Sequence, residues 1–224
     1  MTSVNHSLKS ILPIRFLCIH AVCLCVLASA CWVRAEPILR KSKVVSLFNG
    51  KDLDGWVIEN HGNFSVRDGL LTIDRGTGWL RSEKTYGDFT LTLEFRFLDE
   101  GANSGIFVRT GRTSREDENG WPDNGYQVQC MDALSGPAPL ATMIPYGAPA
   151  FTHESDLEAL KRANKRVGRW QRFEITCRGE LLRVILNGSV ITMASEIKNR
   201  AGHIGIQAEH GRLEFRKIRI RRYD

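Results

Sequence analysis

The segment from Asp88 to Phe97 reads D-F-T-L-T-L-E-F-R-F, and its strict alternation constrains the chain more than any other feature. Successive side chains of an extended strand point to opposite faces. Phe89, Leu91, Leu93, Phe95 and Phe97 therefore share one face, and Thr90, Thr92, Glu94 and Arg96 the other. A helix would mix the two sets, so the pattern predicts a half-buried β-strand. Two hairpins follow from turn chemistry. Asp68-Gly69 separates Phe64 to Arg67 from Leu70 to Ile73, and Asn187-Gly188 separates Leu181 to Leu186 from Ser189 to Met193. Both dipeptides tolerate the positive φ angles that a two-residue hairpin turn requires.

Further strands are expected over Gly105 to Arg109, Tyr126 to Cys130, Phe173 to Arg178, His203 to Gln207 and Leu213 to Ile220. About ten to thirteen short strands in one domain make an all-β sandwich or barrel. One helix is expected after Ser155, whose hydroxyl and Glu158 would form a capping box, with Gly168 stopping the segment. It belongs to a long insertion, Ser135 to Arg169, expected to form a rim or lid.

The first residues set the expected compartment. Lys9 and Arg15 precede an apolar run, Phe16 to Ala30, and no acidic residue occurs before Glu36. This is the layout of a secretory signal peptide over residues 1–35, with a single domain over 36–224. The run falls short of the roughly 20 apolar residues of a membrane span, so no transmembrane segment is expected after cleavage. Cleavage after Ala35 competes with cleavage before Cys31, which would attach a lipid. The first fits side-chain size better, which predicts a periplasmic or extracellular protein. Removing Lys9, Arg15 and Arg34 lowers the formal net charge by three, from +6 to +3. Arg216, Lys217, Arg219, Arg221 and Arg222 near the end alternate as the wet side of a strand would, and no nucleic-acid partner is expected. Four of the six cysteines lie in or beside the signal. Cys130 and Cys177 remain, to form one bridge or two buried thiols, and neither a CxxC pair nor zinc-ligand spacing is present.

The polar residues of the alternating strands are candidates for contact with a sugar in a shallow groove. Glu94 and Arg96 share a face, as do Phe107 and Arg109, and Gln127 and Gln129. Sugar hydroxyl pairs suit planar bidentate groups such as Arg, Gln and carboxylates, and sugar C–H faces suit flat rings such as Trp79 or Trp121. Glu94 beside arginines reads equally as a general base or as an ion pair. His210 is preferred to His203 as a proton shuttle, since His203 begins a strand. Asp132 reads as an arginine partner, a metal ligand or a turn cap.

Seven motifs then follow one another in order: S-L-F-N-G-K-D-L-D-G-W from Ser46, Y-G-D-F and L-E-F-R between Tyr86 and Arg96, N-S-G-I-F-V-R from Asn103, G-Y-Q-V-Q-x-x-D from Gly125, G-R-W-Q from Gly168, L-N-G from Leu186, and I-G-I-Q-x-x-H-G from Ile204. Together they resemble the bacterial 3-keto-disaccharide hydrolase domain over nearly the whole mature chain. The resemblance implies a concanavalin A-like jelly-roll β-sandwich and cleavage of 3-keto-glycosides. A ketone at C3 acidifies the C2 hydrogen, so that a base abstracts it, the C1 substituent leaves by elimination and water adds. Carried onto matching positions, it implies a site lined by Glu94 and His210 as catalytic groups, with Arg109, Gln129, Asp132 and Gln207 around the substrate. Arg96, Gln127 and Trp79 join them as substrate contacts, and a divalent metal is an open expectation. One departure stands out. Gln127 occupies a position where relatives often carry Glu, and an amide neither abstracts a proton nor binds a cation as a carboxylate does. Three readings follow: a hydrolase or lyase on 3-keto-glycosides, a non-catalytic carbohydrate-binding domain of the same fold, and a structural or interaction domain at the cell surface.

Overall fold

The structure, a computed structural model, describes residues 43–223. The expected signal segment and Cys31 lie outside the described residues. The chain forms β1 (Val44–Ser46), β2 (Trp56–Asn60), β3 (Phe64–Arg67), β4 (Leu70–Asp74), β5 (Gly78–Tyr86), β6 (Phe89–Phe97), β7 (Asn103–Thr110) and β8 (Gly125–Met131). After these come β9 (Met143–Tyr146), β10 (Thr152–Ser155), α1 (Leu157–Ala163), β11 (Gln171–Arg178), β12 (Leu181–Leu186), β13 (Ser189–Ser195), β14 (Gly202–Ala208) and β15 (Arg212–Arg222).

The strands make two antiparallel sheets. The larger runs β10-β13-β12-β11-β6-β15-β4-β3, with β1 added against β15. The smaller runs β2-β5-β14-β7-β8-β9. Their inner faces share one core. Phe89, Leu91, Leu93, Phe95 and Phe97 of β6 are all buried there, with Phe173 and Ile175 of β11 beside them and Ile106, Val128 and Ile206 of the smaller sheet. The alternation of β6 is thus realised residue by residue. Phe95 stacks on Phe173 with ring centroids 4.7 Å apart, a cross-strand pair that helps fix the β6–β11 register.

Both hairpin turns form as their sequences dictate. Asp68 and Asn187 each take a φ of 50°, and Gly69 and Gly188 follow at 78° and 93°. The helix begins one residue later than the capping-box pattern predicts. Asp156 is the N-cap and its side chain accepts from the Ala159 amide at 2.8 Å, while Ser155 ends β10 and hydrogen-bonds Thr192. A carboxylate one residue downstream displaces a hydroxyl as cap because either group accepts from the first free N–H groups, and the carboxylate also meets the helix dipole. The long insertion holds β9, β10 and α1, so it extends one edge of each sheet, and Leu160 of the helix is buried in the core. Cys130 and Cys177 are buried free thiols. No helix among the described residues is long and apolar enough to cross a membrane.

Candidate functional site

The outer faces of the two sheets divide the predicted site residues between them. On the larger sheet, Glu94 accepts from Arg216 Nε at 2.7 Å and from Lys217 Nζ at 2.9 Å. Partial burial pulls its pKa upward, but the hydrogen bonds from Lys217 and Arg216 outweigh that and hold it below the ordinary carboxylate value. Arg96 donates to Glu214, and the guanidinium groups of Arg96 and Arg216 both lie over Trp170, at 4.7 and 3.9 Å from its ring centre. Glu94 and Arg96 therefore belong to a compact ion-pair cluster, on a different sheet from the glutamines predicted to share their site.

Arg109 is a correction to the sequence reading. It does not share the face of Phe107, because its φ of 49° breaks the alternation and turns its side chain toward the end of the sandwich. There it is buried, donating to the carbonyls of Gly87 (2.9 Å), Gly179 (2.7 Å) and Asn199 (3.0 Å) and to Asp88 Oδ1 (2.8 Å). One side chain thus ties three loops together. Asp132 is at a turn, where Oδ2 accepts from the Gly101 amide at 3.1 Å.

The outer face of the smaller sheet gathers the rest. The register places Gln207 of β14 opposite Trp79 of β5, Gly205 opposite Phe107 of β7, and Gln127 and Gln129 of β8 opposite Phe107 and Gly105. Gln127 Nε2 donates to Gln207 Oε1 at 2.6 Å across β7. That bridge requires glycine beneath it: a Cβ on Gly105 would stand 1.6 Å from Gln127 Nε2. Gly205 likewise leaves room for the rings of Trp79 and Phe107, since its Cβ would lie 2.6 Å from the Trp79 ring. The loop from Gly111 to Asn124 folds over these residues. Trp79 Nε1 donates to Ser114 Oγ at 3.2 Å, and Asn60 Nδ2 donates to the Gly120 carbonyl. Trp121 from this loop meets Tyr146 of β9 edge-on at 5.6 Å, and Tyr146 meets Phe107 edge-on at 5.5 Å. Trp79, Phe107 and Trp121 form an apolar cluster with Tyr146 packed against it, separate from the main core.

This cluster covers polar atoms that have no partner. Of seven buried side-chain N and O atoms without a hydrogen bond among the described residues, five lie here: Asn103 Oδ1, Trp121 Nε1, Gln127 Oε1, Gln129 Oε1 and Gln207 Nε2. A buried unpaired polar atom costs about 1–3 kcal/mol, so five on one face mark a surface built for a polar ligand or ordered water. Two are donors and three are acceptors, as a polyhydroxylated ligand needs.

At the edge of this face stands Glu209, which the sequence reading passed over. Gln207 points outward and Ala208 inward, so alternation puts Glu209 on the Gln207 face. That signal was present inside I-G-I-Q-x-x-H-G. Burial raises its carboxyl above the ordinary value, partly opposed by the hydrogen bond from Asn103 Nδ2 at 2.6 Å and by the charge of His210. His210 itself is exposed, and its backbone pairs with Asn103 through hydrogen bonds of 2.8 and 3.2 Å. Burial, with the charge of Glu209, pushes the Tyr146 hydroxyl up to about 12. His203, at the other end of β14, hydrogen-bonds the Ser82 carbonyl at 2.7 Å. Among the described residues no group of three His, Cys, Asp or Glu side chains is placed to hold a metal ion.

Two antiparallel sheets closed over one core define a concanavalin A-like jelly roll. Residues 43–221 match the 3-keto-alpha-glucoside-1,2-lyase-like domain, and the chain belongs to that family. Similar solved structures include two proteins from Parabacteroides distasonis ATCC 8503, each provisionally assigned as a glycosyl hydrolase. One is 16% identical with a TM-score of 0.58, covering 81% of this chain and 94% of the other. The second is 25% identical with a TM-score of 0.57, covering 81% and 100%. A Bacillus subtilis protein of unknown function with a galectin-like fold is 11% identical, with a TM-score of 0.56 over 80% and 94% of the two chains. No curated protein matches the chain.

Proposed function

We propose that this protein is an exported enzyme that cleaves 3-keto-glycosides on the outer face of its six-stranded sheet. The observation that carries the reading is the set of five unpaired buried polar atoms on this face, one of them the indole nitrogen of Trp121 itself. A sugar ring bound there would meet acceptors at Gln127 Oε1, Gln129 Oε1 and Asn103 Oδ1 for its hydroxyls, and aromatic surface for its C–H faces. Entry requires the Gly111 to Asn124 loop to swing aside, and its side-chain attachments to the sheet at Ser114 and Gly120 are few enough to allow it.

Glu209 is the base in this reading. Its raised pKa suits proton abstraction better than that of Glu94, which two cations hold ionised and weakly basic. Glu209 takes the proton from C2, and the C–H electron pair moves into an enolate whose negative oxygen is the former C3 ketone. Gln207 Nε2, which is fixed on the sheet itself, is the free donor for that oxygen. The enolate re-forms the ketone as C1=C2 forms and the C1–O bond breaks. The leaving oxygen takes a proton from Tyr146, which stays protonated at neutral pH. Water then adds its hydroxyl to C1 while its other proton goes to the Tyr146 oxygen, and Glu209 returns its proton to C2, which restores both groups. His210, exposed beside Glu209, relays protons to solvent.

A second reading, sugar binding without cleavage, rests on Gln127. Its amide is committed to Gln207 and, being an amide, supplies no base. The two are separated by incubating the purified protein with a 3-keto-aryl glucoside, with and without divalent metal, and following aglycone release. Release that Glu209→Gln loses and Glu94→Gln keeps supports the enzyme. Saturable binding with no release under either condition supports the binding domain.

A further inference from the structure

The larger sheet carries a second, chemically different surface on its outer face. Away from the Glu94 cluster, β12, β11, β6 and β15 lie side by side and present Arg183, Arg172, Thr90, Thr92, Arg219 and Arg221 around a depression of about 290 Å3. A second depression of about 340 Å3 continues from Thr92 and Arg219 toward Lys217. The register aligns Arg183 with Thr176, Thr176 with Thr90, and Thr90 with Arg221, so a row of hydroxyls runs between two arginines. Those arginines are three strand spacings apart, about 14 Å, and Arg219 and Arg221 are about 7 Å apart along β15.

The charges here are uncommitted. Arg96, Arg216 and Lys217 have carboxylate partners across neighbouring strands, but the exposed side chains of Arg183, Arg219 and Arg221 make no ion pair among the described residues. Arg172 has only a long contact to Glu174, at 3.8 Å. Unpaired guanidinium groups fixed on a rigid sheet are forks for carboxylates, and they cost little to desolvate compared with ammonium groups.

We propose that this face binds an acidic polysaccharide, through its uronate carboxylates and ring hydroxyls. Glu174 decides between anions. A carboxylate in the middle of the patch repels closely spaced phosphodiesters, but it accepts hydrogen bonds from sugar hydroxyls, as do the hydroxyls of Thr90, Thr92 and Thr176. Nucleic acid would call for stacking rings as well, and Tyr223, the one ring at the depression, already lies beneath Arg178 and hydrogen-bonds Thr90. A membrane surface would call for apolar side chains among the cations, and at this depression only Val44, at its edge, is apolar. This surface is independent of the catalytic reading, because it lies on the opposite sheet and uses none of its residues.

The test is affinity electrophoresis of the purified protein through gels containing polygalacturonate, neutral dextran or duplex DNA, in calcium-free buffer. The groove variant combines Arg183→Gln, Arg219→Gln and Arg221→Gln. A control removes the same charge elsewhere, through Arg67→Gln, Arg75→Gln and Arg166→Gln. All six side chains are exposed, so an unchanged Tm is expected for both. The proposal predicts retardation by polygalacturonate alone, weakened at least tenfold in the groove variant and less than twofold in the control. It is overturned by absent retardation of the native protein, by equal losses in the two variants, or by equally tight retention on DNA.

Discussion

The outer faces of the two sheets solve opposite problems. On the nine-stranded sheet, around Glu94, charge meets charge: Arg216, Lys217, Arg96, Glu214 and Trp170 satisfy one another in contact with solvent. On the six-stranded sheet the orphaned groups are neutral amides and an indole, buried without partners beside the paired Arg81 and Glu59 and the half-buried Glu209. An exposed ion-pair cluster is inexpensive to keep and contributes little. A buried set of orphaned amides is costly and persists where a ligand completes it. The comparison teaches that the carboxylate most visible in the sequence, Glu94, is the one whose needs are already met.

The sharpest way to break the comparison is to remove one carboxylate from each face. Glu209→Gln is expected to lower kcat for aglycone release by about 100-fold or more, the usual contribution of a positioned base, while Glu94→Gln changes it by less than about twofold and stability by less than about 1 kcal/mol. Equal effects on release would dissolve the distinction between the faces.

Arg109 sharpens it differently. Sequence alternation placed it with Phe107 on the sugar face, and the structure makes it the tie between three loops. Arg109→Met leaves the Asp88 carboxylate and three carbonyls short of a donor, and is expected to cost about 3–5 kcal/mol in urea unfolding. Binding by whatever fraction stays folded should keep its affinity.

These residues also show what the sequence made legible. β6 was readable because one face is apolar and the other polar, and β12 because a short apolar run leads into the Asn187-Gly188 turn. β5 was not, because its first five residues, Gly78 to Ser82, are buried on both faces and the next three, Glu83 to Thr85, are exposed, which leaves no period-two signal. β10 is a short polar edge strand, and β2 mixes exposed Ile58 with half-buried Glu59. In the site, Gln127 and Gln129 are legible by alternation, Gln207 through the family motif, and Trp79 only as a flat ring suited to a sugar face. Glu209 lies two residues after Gln207 and obeys the alternation rule, but it stands just past the end of β14, where alternation no longer guarantees a face. Tyr146 depends on β9 pairing with β8, and the covering role of Trp121 on the Gly111 to Asn124 loop returning over the sheet, closures that no local pattern encodes.

A smaller effect is the pH profile. Burial raises the Glu209 pKa above 4.5, so its charged form is disfavoured in the folded protein. Its deprotonation therefore costs stability as pH rises through the raised value, and the same deprotonation switches the base on. Release should climb along an acid limb lying above pH 4.5. Asn103→Ala, which removes the hydrogen bond that lowers this pKa, should move the limb in kcat to higher pH. A limb unmoved in that variant would assign it to another group.

The smallest expected effect is on the thiols. Burial pushes Cys177 up to about 12 and Cys130 well above its ordinary value. Neither should react with a thiol reagent at pH 8 in the folded protein, and both should react in urea. Rapid labelling without denaturant would show the core to be more open than this packing allows.

The central claim is that sugar binds the amide and aromatic face. It is tested most directly by a crystal structure of the Glu209→Gln protein soaked with a 3-keto-glucoside. The account predicts density within hydrogen-bonding distance of Gln127, Gln129 and Gln207, with the Gly111 to Asn124 loop displaced. Density beside Glu94 and Arg96 instead, with those glutamines still covered, would contradict it.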